Sequence, residues 1–162
     1  YKRIKNNPMK RAMRCDKLAI AGLSATLKLY EDPDKALRDI PTLRLLSRSR
    51  EELTLLADRI LPNIRDKFKG TAEVKLVSCF SQIGGGSLPN EQLPSVGISI
   101  QKRTKKRSGV FSETLAQKLR CLPVPIIGRI HKGALLLDLR CLEDEELFIK
   151  QFQSLEISVD IQ

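Results

Sequence analysis

The sequence has no tryptophan, only two tyrosines and a single histidine, His131. Single-strand nucleic-acid platforms stack bases on exposed rings, so a chain this poor in Trp and Tyr argues against base stacking as its main mode of contact. Its four cysteines, Cys15, Cys79, Cys121 and Cys141, lie far apart with no C-x-x-C spacing, which indicates neither a zinc site nor a disulfide framework. They read as buried thiols, the usual habit of free cysteine. Long hydrophobic runs are missing too. Nothing approaches the roughly 20 apolar residues of a membrane helix, and no signal-type segment follows the basic first residues. The expectation is therefore a cytoplasmic protein with no membrane partner. The opening YKRIKNNPMKRAMR has no start methionine and reads as a helix end and loop within a longer protein.

Positive charge is what the chain has in excess: 29 Lys and Arg against 19 Asp and Glu, a formal net charge of +10. That balance points to a polyanionic partner, nucleic acid ahead of membrane, because no basic stretch carries the wide apolar face of a surface-lying helix. A generally basic, solvated surface is the alternative. Lys2, Arg3, Lys5, Lys10, Arg11, Arg14 and Lys17 crowd the first 17 residues. If this turn is helical, Arg11 and Arg14, three apart, share a face and can clamp one phosphate-like anion with paired donors. The same R-x-x-R spacing also suits a solvated helix face. Lys102, Arg103, Lys105, Lys106 and Arg107 form the densest charge run, expected as a flexible loop serving either RNA contact or solubility. Gly84-Gly85-Gly86 is not a phosphate loop, since no Lys-Ser/Thr follows and Pro89 and Pro94 leave no room for the helix that would hold the anion. It suits a tight loop near another backbone or ligand, or an ordinary connector.

The periodicity gives an ordered set of elements. From the N-cap Asp16 to Tyr30 runs a helix that is apolar nearly all round, with Leu18, Ala21, Ala25 and Leu29 on one stripe and Ile20, Leu23, Leu27 and Tyr30 on another; it should be buried on several sides, one of them facing a missing domain or a second subunit. Asp32-Pro33-Asp34 starts a short helix that ends before Pro41, and Leu43, Leu45 and Leu46 follow as an apolar connector. Ser49 and Glu52 form a capping box for a helix carrying Leu53, Leu56, Ile60, Ile64 and Phe68, bent at Pro62 and ended by Gly70. Val74 and Leu76, then Val96, Ile98 and Ile100, alternate as two antiparallel strands. Ser112 caps a helix with Leu115, Ala116 and Leu119 inside.

Pro123 and Pro125 then lead into a hairpin. Ile127, Arg129 and His131 line one side of its first strand, Lys132-Gly133 makes the turn, and Leu135, Leu137 and Leu139 alternate with Asp138 and Arg140 on the return. Glu143 to Glu146 open a last helix with Leu147, Phe148, Phe152 and Leu155 as its stripe. The order after Ser49 is α-β-β-α-β-β-α. It predicts an α+β fold whose four-stranded, largely antiparallel sheet carries helices on one face.

Several blocks carry a resemblance: NPMKRAMRCDK, IPTLRLLSRS, CFSQIGGGSLP and LPVPIIGRIHKGALLLDLRCLEDEELF. From about Asn6 to Phe152 the chain resembles the C-terminal part of bacterial selenocysteine synthases, the L-seryl-tRNA(Sec) selenium transferases. The resemblance implies the small C-terminal domain of an aminotransferase-like, fold type I enzyme: residues 1–14 the end of a large cofactor domain, 15–48 a long connecting helix and linker, 49–155 the small α+β domain, and 156–162 a tail. It implies pyridoxal 5'-phosphate held mainly by the large domain, seryl-tRNA(Sec) and selenophosphate as substrates, and a homo-oligomer.

In the implied reaction the serine hydroxyl is eliminated and selenium takes its place, with the cofactor as electron sink. The family's Schiff-base lysine lies upstream of the R-x-x-R block, so no lysine here takes that role and the segment is expected to be inactive alone. Arg11 and Arg14 match the family's paired arginines that hold the oxyanion of the selenium donor. The run Lys102–Arg107 stands as an auxiliary RNA contact. A non-enzymatic, basic RNA-binding module and the small domain of a related pyridoxal-phosphate enzyme with another substrate remain as alternatives.

Overall fold

The computed structural model describes residues 2–82, 92–103 and 108–156. It divides into two compact units, Tyr1–Ser47 and Arg48–Gln162.

The first unit is a series of helices whose starts are written in short polar side chains. After α1 (Lys2–Lys5), Asn7 caps a 3-10 turn over Pro8–Arg11 by accepting the Met9 N–H at 2.9 Å. Asp16 caps α2 (Lys17–Leu29) through the Ala19 N–H at 2.7 Å. Asp32 caps α3 (Pro33–Asp39) by accepting from the backbone of Asp34 and Lys35, with Pro33 pre-set for the first turn. One expectation needs correction. The Leu43–Leu46 segment is helical, within α4 (Pro41–Ser47), because a proline that stops one helix also suits the first position of the next. Within this unit no residue of α2 is buried, and Leu18 is 85% exposed.

The second unit is a helix-covered sheet. Ser49 and Glu52 exchange backbone hydrogen bonds at 3.1 and 3.0 Å and launch α5 (Arg50–Lys67), which continues through Pro62. Gly70, at φ 84°, turns the chain into β1 (Ala72–Gln82), which pairs antiparallel with β2 (Gln92–Lys102) from Ala72↔Lys102 to Gln82↔Gln92. α6 (Ser108–Arg120) precedes the hairpin of β3 (Arg129–His131) and β4 (Ala134–Asp138), and α7 (Glu145–Ser154) follows. The sheet order is β1-β2-β4-β3, with every neighbour antiparallel. Lys132 and Gly133, at φ 50° and 76°, form the hairpin turn whose twist matches the strands.

Val74, Ile98, Ile100, Leu135 and Leu137 face α5, α6 and α7, where Leu53, Ile60, Ile64, Phe68, Leu119 and Phe152 complete the core. Burying each such side chain is worth about 1.5–3 kcal/mol, and this face of the sheet provides most of the unit's cohesion. The helices thus lie on one face, as the sequence pattern predicts. On the other face β2 comes so close to β4 that a Cβ on Gly97 would lie 2.8 Å from the Leu137 carbonyl oxygen.

Four details differ from what the sequence pattern predicts. α6 begins at Ser108, so Ser112 is not a cap; it is fully buried and its Oγ donates to the Gly133 carbonyl at 2.8 Å, fastening helix to hairpin. β4 ends at Asp138, whose carboxylate accepts the Arg140 N–H and starts a 3-10 turn over Leu139–Cys141. Arg140 is therefore not on a wet strand face. It is 4% exposed and donates to the carbonyls of Arg48 and Pro94, while Arg48 donates to those of Arg140 and Leu142. Finally, of the four cysteines Cys79 alone is buried; Cys15, Cys121 and Cys141 are exposed. Burial there follows position, since Cys79 is on a strand and the others sit at helix or turn ends.

Candidate functional site

Arg11 closes the 3-10 turn, Ala12 caps it, and Arg14 lies beyond the following turn in irregular chain. The helical turn that would put both guanidiniums on one face is absent. Asn7 and Pro8 specify a short 3-10 segment, and Asp16 starts α2 too late to include either arginine. Both side chains are exposed, and among the described residues neither makes a hydrogen bond or ion pair within the chain.

Of the second group of predicted site residues, Lys102 is half-buried at the end of β2, opposite Ala72 in the ladder, and is not part of a loop. Arg103 follows it, exposed. Lys105, Lys106 and Arg107 lie outside the described residues, as does the Gly84–Gly86 segment. Arg103 shares a hollow of about 240 Å³ with Arg65 and Lys69, which no sequence signal singles out. Their sequence separation hides the convergence; it arises because α5 ends where β1 begins, beside the end of β2. Arg65 is tethered there by its Nε, which donates to the Val74 carbonyl at 3.3 Å. Glu73 also lines the hollow, with its carboxylate held by Lys75 Nζ at 2.8 Å.

The open face of the sheet forms a larger hollow of about 730 Å³, lined among others by Cys79, Gln101, Arg129, His131, Lys132 and Leu136, and among the described residues no carboxylate lines it. At one margin Asp138 organises the polar groups. Its carboxylate accepts from Ser81 Oγ at 2.6 Å and Ser95 Oγ at 2.7 Å, and Arg129 Nη2 stands 3.9 Å away while donating to the Phe80 carbonyl at 2.6 Å. The Cys79 thiol is pushed up from its ordinary pKa by burial and, second, by the negative charge of Asp138. Such a thiol stays protonated and makes a poor nucleophile.

These groups can bind anions. They do not assemble a nucleophile with its base, and among the described residues no cluster of His, Cys, Asp or Glu could hold a metal ion. Among the described residues the cofactor that the resemblance implies finds no cradle either. Covalent attachment calls for a lysine desolvated in a pocket, and no lysine among the described residues is buried.

Comparisons with known proteins agree on one family. The model of the L-seryl-tRNA selenium transferase family matches residues 1–143. An L-seryl-tRNA(Sec) selenium transferase of Proteus mirabilis is 47% identical over 147 residues, covering 91% of this chain and 31% of that protein. The protein of the same name from Klebsiella pneumoniae (strain 342) is 46% identical over 148 residues, with 91% and 31% covered. One from Escherichia coli (strain SMS-3-5 / SECEC) is 44% identical over 148 residues, with 91% and 32% covered. The chain thus spans about a third of the length of these relatives.

Proposed function

We propose that this chain, which belongs to the L-seryl-tRNA selenium transferase family, is the C-terminal part of a pyridoxal-phosphate-dependent enzyme that converts seryl-tRNA(Sec) to selenocysteyl-tRNA(Sec) with selenophosphate as donor. The observation that carries the reading is the family match over residues 1–143. On this reading residues 49–155 are the small domain of an aminotransferase-like fold, residues 15–48 the connector, and residues 1–14 the end of the large domain. The enzyme is a cytoplasmic homo-oligomer, and the cofactor, when bound, supplies an electron sink at a site built by the large domain. On this reading the Schiff-base lysine lies upstream, and this segment is inactive alone.

The role left to the segment is anion binding. Arg11 and Arg14 hold the selenophosphate oxyanion, a task suited to exposed guanidiniums with no partner among the described residues. Lys102, Arg103, Lys105, Lys106 and Arg107 give auxiliary contact to the tRNA. Exposed Leu18, Ile20, Leu23 and Leu27 on α2 suit a connector covered by the rest of the oligomer. In the full-length enzyme, Arg11→Ala with Arg14→Ala should abolish selenium transfer and leave cofactor absorbance intact; undiminished transfer would remove the assigned role. The absorption spectrum of the full-length protein, with and without seryl-tRNA(Sec), tests the reaction class. A colourless protein that binds tRNA would instead favour a basic RNA-binding module.

A further inference from the structure

The strand register brings separate basic segments to one end of the sheet. Ala72 at the start of β1 faces Lys102 at the end of β2, Ile100 faces Leu135, and His131 faces Ala134, so the Lys132–Gly133 turn lies at the same end. α5 delivers Arg65 and Lys69 there as the chain enters β1, and Arg103 leaves β2 there. Arg65, Lys69 and Arg103 line one hollow. Among the described residues the only acid lining it, Glu73, is engaged by Lys75. Lys132 sits exposed at the tip of the hairpin.

We propose that this end of the sheet, with Arg65, Lys69, Arg103 and Lys132 as its contacts, binds the phosphate backbone of RNA. The inference rests on the tRNA reading above and adds to it a surface that includes two residues of the α5–β1 junction and one of the hairpin turn. The physics selects the partner. Cations from three segments, with no aromatic ring among the described residues lining the hollow, suit phosphates and give no platform for bases. The same basic end of a second copy would bring like charges together. A membrane surface would call for an apolar face beside the charges, and among the described residues the hollow offers only Ala72 and Val74.

The test uses the full-length enzyme and unmodified tRNA(Sec) transcript, with affinity measured across a salt series. Replacing Arg65, Lys69, Arg103 and Lys132 together by Gln should reduce the slope of log affinity against log salt by about 3 to 4, at roughly 0.9 for every phosphate no longer neutralised. Arg103→Gln alone should reduce it by about 0.9, which keeps the test valid should the combined variant not fold. Arg120→Gln with Lys150→Gln, on α6 and α7, should leave the slope unchanged. An unchanged slope in both the combined and single variants, or an equal drop in the α6–α7 control, overturns the proposal. If such a variant keeps its slope while the unaltered enzyme binds tRNA and transfers selenium, only this surface is refuted. An unaltered enzyme that binds no tRNA refutes the functional reading and this inference with it.

Discussion

Replacing Asp138 by Ala tests whether one carboxylate holds the margin of the open sheet face together. Its oxygens accept from Ser81, Ser95 and the Arg140 N–H at 2.6, 2.7 and 3.2 Å. Ser95 is 1% exposed, so its hydroxyl would be left where water does not reach with only the weakly accepting Cys79 sulfur beside it, whereas half-buried Ser81 can turn outward. A hydrogen bond to a charged acceptor is worth about 1.5–3 kcal/mol, and a buried orphan costs a comparable amount, so the destabilisation should total about 2–4 kcal/mol. Arg129, half exposed at 3.9 Å, adds little because solvent screens it. Asp138→Asn should cost only about 1 kcal/mol, since its carbonyl still accepts from one serine and its amide can donate to the other. Urea unfolding followed by circular dichroism reads both values as midpoint shifts at constant slope. An Ala variant within about 0.5 kcal/mol of the unaltered chain, or an Asn variant worse than Ala, would refute the reasoning.

Phe152→Ala should destabilise the sheet unit by about 3–5 kcal/mol, because the ring is buried and packs edge-on to Phe68 at 6.3 Å and against Phe148 at 4.9 Å. A destabilisation below about 1 kcal/mol in the same urea assay would count against that core. Thiol alkylation of the native chain, read by mass, should modify Cys15, Cys121 and Cys141 and spare Cys79, whose thiol burial keeps protonated; equal labelling of Cys79 would contradict its placement. Glu145 is held below the usual carboxylate range chiefly by the hydrogen bond from Arg59. The stabilisation is therefore present above the unfolded carboxylate pKa and is lost as pH falls through the lowered folded value. Glu145→Gln should flatten the acid limb of stability measured from about pH 7 to about pH 3, and an unaltered limb would show that the pair contributes nothing.

The elements most legible in the sequence are those whose signals are local. The Ser49–Glu52 capping box, the Asp16 and Asp32 caps, and the Lys132-Gly133 turn each need only a few neighbouring residues, and each is found where the pattern puts it. Alternation locates β2 because one side of it packs on helices. It misleads at β4, where Ala134, Leu135, Leu136 and Leu137 are all buried and Asp138 ends the strand by capping a turn. Ser112 misleads for a related reason: a serine before an apolar stripe looks like a cap, and only the hairpin packed above it reveals a buried hydroxyl with a carbonyl to bind.

The proposed contact residues are harder to read because their grouping depends on register. The charge run at Lys102–Arg107 is visible as composition, but nothing in the spacing of Arg65, Lys69 and Lys132 joins them to it; the β1–β2 pairing and the hairpin do. α2 makes the opposite case. Its 13 residues are capped and apolar on two stripes, yet none is buried in this chain. A helix of about 12–15 residues is marginal alone in water, so this one must draw its stability from a covered face. α5 has apolar residues at comparable spacing and buries six of them within its own unit. The pattern in α5 therefore encodes this fold. The pattern in α2 has no such partner within its own unit, and on the proposed function the surface that covers it belongs to the rest of the enzyme.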